Sequence, residues 1–369
     1  MENKNKSKGK LSRRKFLGST VTLAAFSIVP LSYSCKSTPV AKEVAGTTPD
    51  SNFGGVQIGA ITYSWRSMPG GVENIIKYCK EAGISSIELM SNDVEEFLGA
   101  PKNPIMGMFG PPPGARPPAS ATPAGPPAAG PPAAGAPGGG FPRRRELTPE
   151  QQAVIEKFNQ EIKEWRLSLP MVKFEEIRKM FDNAGIKIHI VKFSPARWSD
   201  EEIDYAFKAA KALGAKGVTE EIGEDAVKKL GPIAEKHGMY AIFHNHMQFA
   251  TQDFSYDPFL TVSQAVMMNF DAGHFFGSTG IHPNTIIEKY HDRIFSIHLK
   301  DKTGPNTDPA NENQVWGQGE VPIADILQLI SKQRWPIYCD IELEYDVKPW
   351  SNAVKEVKTC VKYARQILI

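Results

Sequence analysis

The chain has 369 residues, 41% of them hydrophobic and 23% charged, and its 43 Lys+Arg against 41 Asp+Glu give a formal net charge of +2. This length supports one large domain or two ordinary ones without help from disulfides, and the near balance of charge argues against a nucleic-acid binder. The charge is unevenly spread: residues 1–34 hold seven basic side chains and one acid, so the remainder carries 36 basic and 40 acidic groups, a net of −4.

In chain order, Ser12-Arg13-Arg14-Lys15-Phe16-Leu17 comes first, followed by an uncharged stretch from Gly18 to Ser34. A basic stretch, a moderately apolar core and small residues before a boundary are the parts of an export signal. The paired arginines with Phe-Leu resemble the twin-arginine signal, so residues 1–34 are expected to be an address. The alternative, an uncleaved membrane anchor, is disfavoured because the run contains Pro30 and is short for a span. Leu31-Ser32-Tyr33-Ser34-Cys35 resembles a lipoprotein processing site, and residues 35–53 form a polar tether. A lipid on Cys35 would be the only membrane contact of a periplasmic or outer-membrane-anchored protein. Simple cleavage with a spare Cys35 is the other reading. Cys79, Cys339 and Cys360 form no CxxC pair and are expected to be buried small hydrophobes.

Residues 101–145 contain 14 Pro and 9 Gly among 45. Such a segment cannot bury a core, which predicts a disordered or polyproline-like insertion. Gly does not recur at every third position, which excludes collagen.

The rest, 54–369 without the insert, is the size of one barrel domain. Strand-like runs occur at 56–61, 86–90, 186–193, 217–219, 240–243, 267–270, 294–299 and 337–341. Helical patterns lie between them at 72–82, 200–213, 224–237, 284–291 and 323–332. Several helices run through Gly straight into a strand, as at Ala82-Gly83-Ile84, Ala184-Gly185-Ile186, Leu213-Gly214-Ala215 and His237-Gly238-Met239. The presumed strand ends Phe193, Glu220, His244, Asp271 and His298 are spaced by 27, 24, 27 and 27 residues. Eight such repeats predict an α/β fold, a (β/α)8 TIM barrel with the Pro/Gly/Ala-rich insertion after strand two. A doubly wound sheet is the alternative, weakened because no Gly-x-Gly-x-x-Gly follows the first strand.

Chemistry in such barrels sits at the strand ends. Here those ends read Phe243-His244-Asn245-His246, Phe270-Asp271-Ala272-Gly273-His274, Ser296-Ile297-His298-Leu299-Lys300-Asp301 and Ile341-Glu342-Leu343-Glu344. Imidazoles and carboxylates closing adjacent strands converge on one axis, and a single divalent metal (Mn, Co, Mg or Zn) accounts for them. Asp271, His298 and Glu342 are the firmest ligands.

These segments, together with Val56-Gln57-Ile58-Gly59-Ala60-Ile61-Thr62-Tyr63-Ser64, Ala82-Gly83-Ile84-Ser85-Ser86-Ile87-Glu88-Leu89 and Gly317-Gln318-Gly319-Glu320-Val321, make the chain resemble the xylose-isomerase-like sugar phosphate isomerase/epimerase superfamily. The resemblance implies one metal held by Glu, Asp, His and Glu from consecutive late strands. The last three map onto Asp271, His298 and Glu342. The first falls at His244, so either His244 is the fourth ligand or Glu220 or Glu221 reaches in. The departure puts the two-carboxylate epimerase mechanism in doubt. The resemblance also implies that His274 contacts the sugar near its carbonyl.

The superfamily's chemistry is proton removal beside a carbonyl with a metal-stabilised enediolate. Return of the proton gives isomerisation or epimerisation; loss of a β-leaving group gives a dehydratase, or a lyase acting on 3-keto-glycosides. Candidate bases are His246, His244 and Glu344. Glu88 is expected to bind sugar hydroxyls, Lys300 a substrate oxygen, and Trp65, Trp316 and Phe275 to wall the pocket. Export directs the expectation to free or oxidised sugars rather than phosphorylated ones. A homo-oligomer is compatible with this reading. A non-catalytic sugar-binding lipoprotein is the competing class, and a nucleic-acid endonuclease a third, disfavoured by the net charge of −4.

Overall fold

The computed structural model describes residues 48–104 and 148–369. The segment expected to be an export signal, Cys35 and most of the Pro/Gly-rich insert lie outside the described residues. The chain runs β1 (Val56–Ile61), α1 (Val72–Ala82), β2 (Ser86–Met90), α2 (Ser91–Phe97), α3 (Pro149–Ser168), α4 (Val172–Asn183), β3 (Lys187–Lys192), α5 (Asp200–Ala212), β4 (Gly217–Glu221), α6 (Glu224–His237) and β5 (Tyr240–His244). It continues through α7 (Asp257–Leu260), β6 (Val266–Asp271), α8 (Ala272–Thr279), α9 (Asn284–Tyr290), β7 (Ile294–Leu299), α10 (Ile323–Gln333), β8 (Tyr338–Ile341) and α11 (Ala353–Leu368). All eight strands pair in parallel with their sequence neighbours, and β1 also pairs with β8, so the sheet closes. The protein is a (β/α)8 TIM barrel.

Helices cover the outside because each carries an apolar stripe at helical spacing. α1 buries Val72, Ile75, Cys79 and Ala82, and α11 buries Val354, Val357, Cys360, Val361 and Ala364. The four Gly transitions predicted from sequence all adopt positive φ, at Gly83, Gly185, Gly214 and Gly238. A left-handed residue there ends the helix and turns the chain into the next strand. Cys79, Cys339 and Cys360 are free and buried, as expected.

Three features differ from the sequence reading. The fold begins by Ser51 rather than at 54, because Ser51 is buried and Asn52–Phe53 pairs antiparallel with β1. Helices α3 and α11 lie where none was assigned, while α4 ends at the Ala184-Gly185-Ile186 transition read from sequence. α3 opens with a reciprocal Thr148–Gln151 capping box and Pro149 in its first turn. Its last turn is pinned to the barrel by Arg166, which donates to both oxygens of Glu95 and to Glu202 and lies 3.6 Å over the Trp198 ring.

The barrel axis is polar, not a stack of branched aliphatics. At its floor His189 bonds Ser86 Oγ through Nδ1 and Asp340 Oδ2 through Nε2, each at 2.9 Å. Gly59 makes room for this pair, since a Cβ there would lie 2.0 Å from Asp340 Oδ1. All three side chains of the network are buried, so it is scaffold beneath the chemistry.

Candidate metal centre

Strand pleating turns alternate residues inward. At the C-terminal rim this brings together Glu221 from β4, His244 from β5, Asp271 from β6, His298 from β7 and Glu342 just past β8. Asp271 and His298 are register partners, as are Glu221 and His244. The donor atoms of His244, Asp271, His298 and Glu342 all lie within 4.8 Å of one another, and all four residues are buried. His244 Nε2 is 3.3 Å from Asp271 Oδ2, and His298 Nδ1 is 2.8 Å from Glu342 Oε2. His298 Nδ1 and Glu342 Oε2 are completely buried yet make no well-formed hydrogen bond. Converging nitrogen and oxygen atoms of two imidazoles and two carboxylates, two of them without a well-formed hydrogen bond, fit a divalent metal.

Each donor is oriented by a neighbour. Asp271 caps α8, its Oδ1 accepting from His274 N at 2.6 Å, which leaves Oδ2 for the centre. Asn245 clamps the same backbone, accepting from Asp271 N at 2.9 Å and donating to Asp271 O at 3.3 Å. His298 Nε2 lies 2.7 Å from Glu88 Oε2, which turns Nδ1 to the donor set. Glu88 was expected to face sugar hydroxyls. It is instead fully buried, with Thr219 donating to Oε1 and Asn269 to Oε2, each at 2.9 Å, so both oxygens are occupied by protein. A carboxylate in this place would orient a metal-binding imidazole. Burial pushes the Glu88 carboxyl up, but the opposing charge and hydrogen bond of His298 hold it down to about 2.

The choice between Glu220 and Glu221 is resolved by the pleat. Glu220 turns away and accepts from Ala196 N and Glu221 N at 2.7 and 2.8 Å. Glu221 faces in and meets Lys192 Nζ at 2.7 Å, His244 Nδ1 at 3.2 Å and His246 Nε2 at 3.0 Å. His244 is therefore held at both nitrogens, between Glu221 and Asp271, and His246 stands half exposed at the rim.

Lys300 is buried and its ammonium is crowded by acids: Asp271 Oδ2 at 2.9 Å, Glu342 Oε2 at 2.8 Å and Glu344 Oε2 at 2.9 Å. It also donates to His274 Nε2 at 3.1 Å. Burial raises the Asp271 and Glu342 carboxyls, but Lys300 together with His274 and His244 at Asp271, and with His298 at Glu342, holds both well below the usual carboxylate range. Burial, with Lys300 adding to it, pulls His274 down to about 3 against the attraction of Asp271, so its imidazole is neutral. Gly273 permits this packing, because a Cβ there would lie 2.2 Å from Lys300 Cγ and 2.8 Å from Lys300 O.

The aromatic residues expected as walls are all buried. Trp65 is buried against Tyr78, Phe275 against Phe249 and Phe270, and Trp316 against Tyr363. Sequence reasoning missed Thr219, Asn269 and Lys192 as supports. Asn269 had a signal, since it lies two residues before Asp271 on one strand and so shares its face.

A closed barrel with a nitrogen and oxygen donor set at its strand ends defines a class of metal-centre barrels. The sequence profile of the xylose isomerase-like TIM barrel family matches residues 155–364, more than half of the chain, and the protein belongs to that family. Inosose dehydratase of Bacillus thuringiensis (strain Al Hakam) is 27% identical over 150 residues, covering 36% of this chain and 50% of that protein. Inosose dehydratase of Clostridium beijerinckii is 27% identical over 153 residues, covering 36% and 51%. The chain thus spans about half the length of the curated relatives it matches. Among solved structures, the probable 3-DHS dehydratase AsbF of Bacillus anthracis superposes with a TM-score of 0.51 at 12% identity, covering 83% of this chain and 98% of that one. D-psicose 3-epimerase gives a TM-score of 0.50 at 10% identity, covering 85% and 99%. At these identities the two structures share the fold.

Proposed function

We propose that this protein is a metal-dependent enzyme that removes a proton beside the carbonyl of an oxidised sugar or cyclic polyol and then expels a β-leaving group. The observation carrying this reading is His244. It stands where the opposed carboxylate of an epimerase would be, and both of its nitrogens are engaged. One acid–base cluster remains beside the donors: Lys300, His274 and Glu344, with His246 at the rim. One-sided proton chemistry suits elimination better than inversion of a centre, which needs groups on both faces. The names of the curated relatives, inosose dehydratases, point the same way.

His244, Asp271, His298 and Glu342 would hold the metal, and Glu88 would fix the imidazole of His298. When bound, the metal supplies Lewis-acid polarisation of the carbonyl. Glu344, only partly buried, receives the α-proton at Oε2. Lys300 and neutral His274 hold the neighbouring oxygens. His246, braced at Nε2 by Glu221, passes a proton from Nδ1 to the departing group. The donor set does not select one ion, and Mn, Co, Mg and Zn all suit it.

The test is incubation of metal-loaded protein in ²H₂O with a panel of free ketoses, inososes and 3-keto-glycosides, followed by NMR. We expect solvent deuterium at the α-carbon and release of water or aglycone from at least one class. Deuterium with rearrangement but no release would assign an isomerase instead, and no exchange with any member would sink the proton-abstraction chemistry.

We further propose that residues 1–34 direct export and that Cys35 carries a lipid, which supports a non-phosphorylated substrate. Fractionation should place the full chain in the membrane and its Cys35→Ser variant in the soluble periplasmic fraction. Retention of both in the cytoplasm would refute the export reading.

A further inference from the structure

The Lys300 ammonium lies on the same oxygens that the metal needs. Asp271 has one oxygen committed to the α8 backbone, through His274 N at 2.6 Å, so only Oδ2 faces the centre. Lys300 Nζ sits 2.9 Å from that Oδ2 and 2.8 Å from Glu342 Oε2. Those two atoms are also the ones that approach His244 Nε2 and His298 Nδ1, at 3.3 and 2.8 Å. An ammonium and a divalent ion cannot share two carboxylate oxygens at contact distance, because like charges this close in a dry interior repel strongly.

We propose that Lys300 is a resident counter-cation that fills the donor set in the metal-free protein and withdraws to Glu344 and His274 when metal binds. The inference rests on the metal reading of the site. The direction of withdrawal follows from exposure. Asp271 is fully buried, whereas the Glu344 and His274 side chains are 20% and 11% exposed, so the second pair lies nearer solvent. Both are already in reach, Glu344 Oε2 at 2.9 Å and His274 Nε2 at 3.1 Å. Gly273 holds the Lys300 stem, since a Cβ there would come within 2.2 Å of Cγ and 3.1 Å of Cδ. Only the end of the side chain needs to turn. Without metal the lysine prevents Asp271 and Glu342 from repelling each other. With metal it carries a positive charge toward the bound carbonyl compound. Lys300 and Glu344 thus act as positioning residues for metal uptake.

The experiment is competitive titration of Mn²⁺ and Zn²⁺ against a fluorescent chelator, using the full chain as wild type, Lys300→Met, Glu344→Gln and the double variant. Lys300→Met should tighten metal binding by about tenfold. Glu344→Gln should weaken it several-fold in the wild type and do little in the Lys300→Met background. That non-additivity is the signature of Glu344 acting through Lys300. Additive effects, as through-space charge alone would give, overturn the proposal, and so does unchanged or weaker binding in Lys300→Met. A wild type that binds neither metal overturns both this inference and the metal reading. Because Lys300→Met removes the ammonium shared by three acids and is at risk of misfolding, a crystal structure of metal-loaded wild type gives an independent measurement. Nζ should have left Asp271 Oδ2 and kept Glu344; an ammonium still in contact with Asp271 overturns the proposal.

Discussion

Asp271→Asn should leave a folded protein that no longer holds metal stoichiometrically and that turns over its substrate about 10²–10³-fold more slowly, the cost of losing one preorganised electrostatic element. The amide can keep its oxygen on the His274 backbone, so the α8 cap survives. Its NH₂ then replaces Oδ2, facing the Lys300 ammonium and His244 Nε2. A donor now meets donors, and the centre loses one of its two anionic ligands. Lys300 keeps Glu342 and Glu344, so the stability loss should fall at or below the low end of the ~3–5 kcal/mol seen when a buried ion pair is broken. Metal analysis, circular dichroism and the deuterium-exchange assay together check this. Normal metal content and exchange in the variant would remove Asp271 from the centre.

Much of the barrel was legible because its signals are local. A Gly that ends a helix and a six-residue apolar run are both read within a few positions, so all eight strands fall where the sequence predicts them. The donors were legible for a related reason. Asp271, His298 and Glu342 each terminate a strand, and a barrel brings strand ends together. What stayed hidden is cross-barrel pairing. Glu88 and His298 are 210 positions apart and meet only because the sheet closes. From sequence alone Glu88 looks like a pocket carboxylate; the identity of the residue facing it, at 2.7 Å, makes it a support. The Glu220–Glu221 choice stayed open for a smaller reason, a one-residue uncertainty in where β4 ends, which reverses the side each residue faces. Helix α3 was obscured by the insert before it.

Glu88→Gln should be the most damaging isosteric change in the protein. Gln can place its oxygen toward Asn269 Nδ2 and His298 Nε2 and its NH₂ toward the Thr219 hydroxyl, so the hydrogen bonds can survive and what is lost is the charge. The charge that holds His298 is gone from a fully buried site, where solvent does not screen the loss. The sign of the pH dependence follows from the carboxyl's position. Its folded-state value is lowered from 4.5 to about 2, so the stabilisation is fully present above the ordinary value and is lost as pH falls through the folded one. A shift of this size corresponds to about 3 kcal/mol. Urea unfolding of the metal-free proteins should therefore show the variant about 3 kcal/mol less stable near neutral pH, with the gap shrinking steadily as the pH falls below about 4. Metal affinity should fall by about 10–100-fold, as when the carboxylate behind a metal-bound imidazole is removed. A gap that stays constant down to pH ~2 would mean that Glu88 is not ionised against His298. In that case His298 would have to be held by Asn269 alone, and the metal affinity of the variant would be that of the wild type.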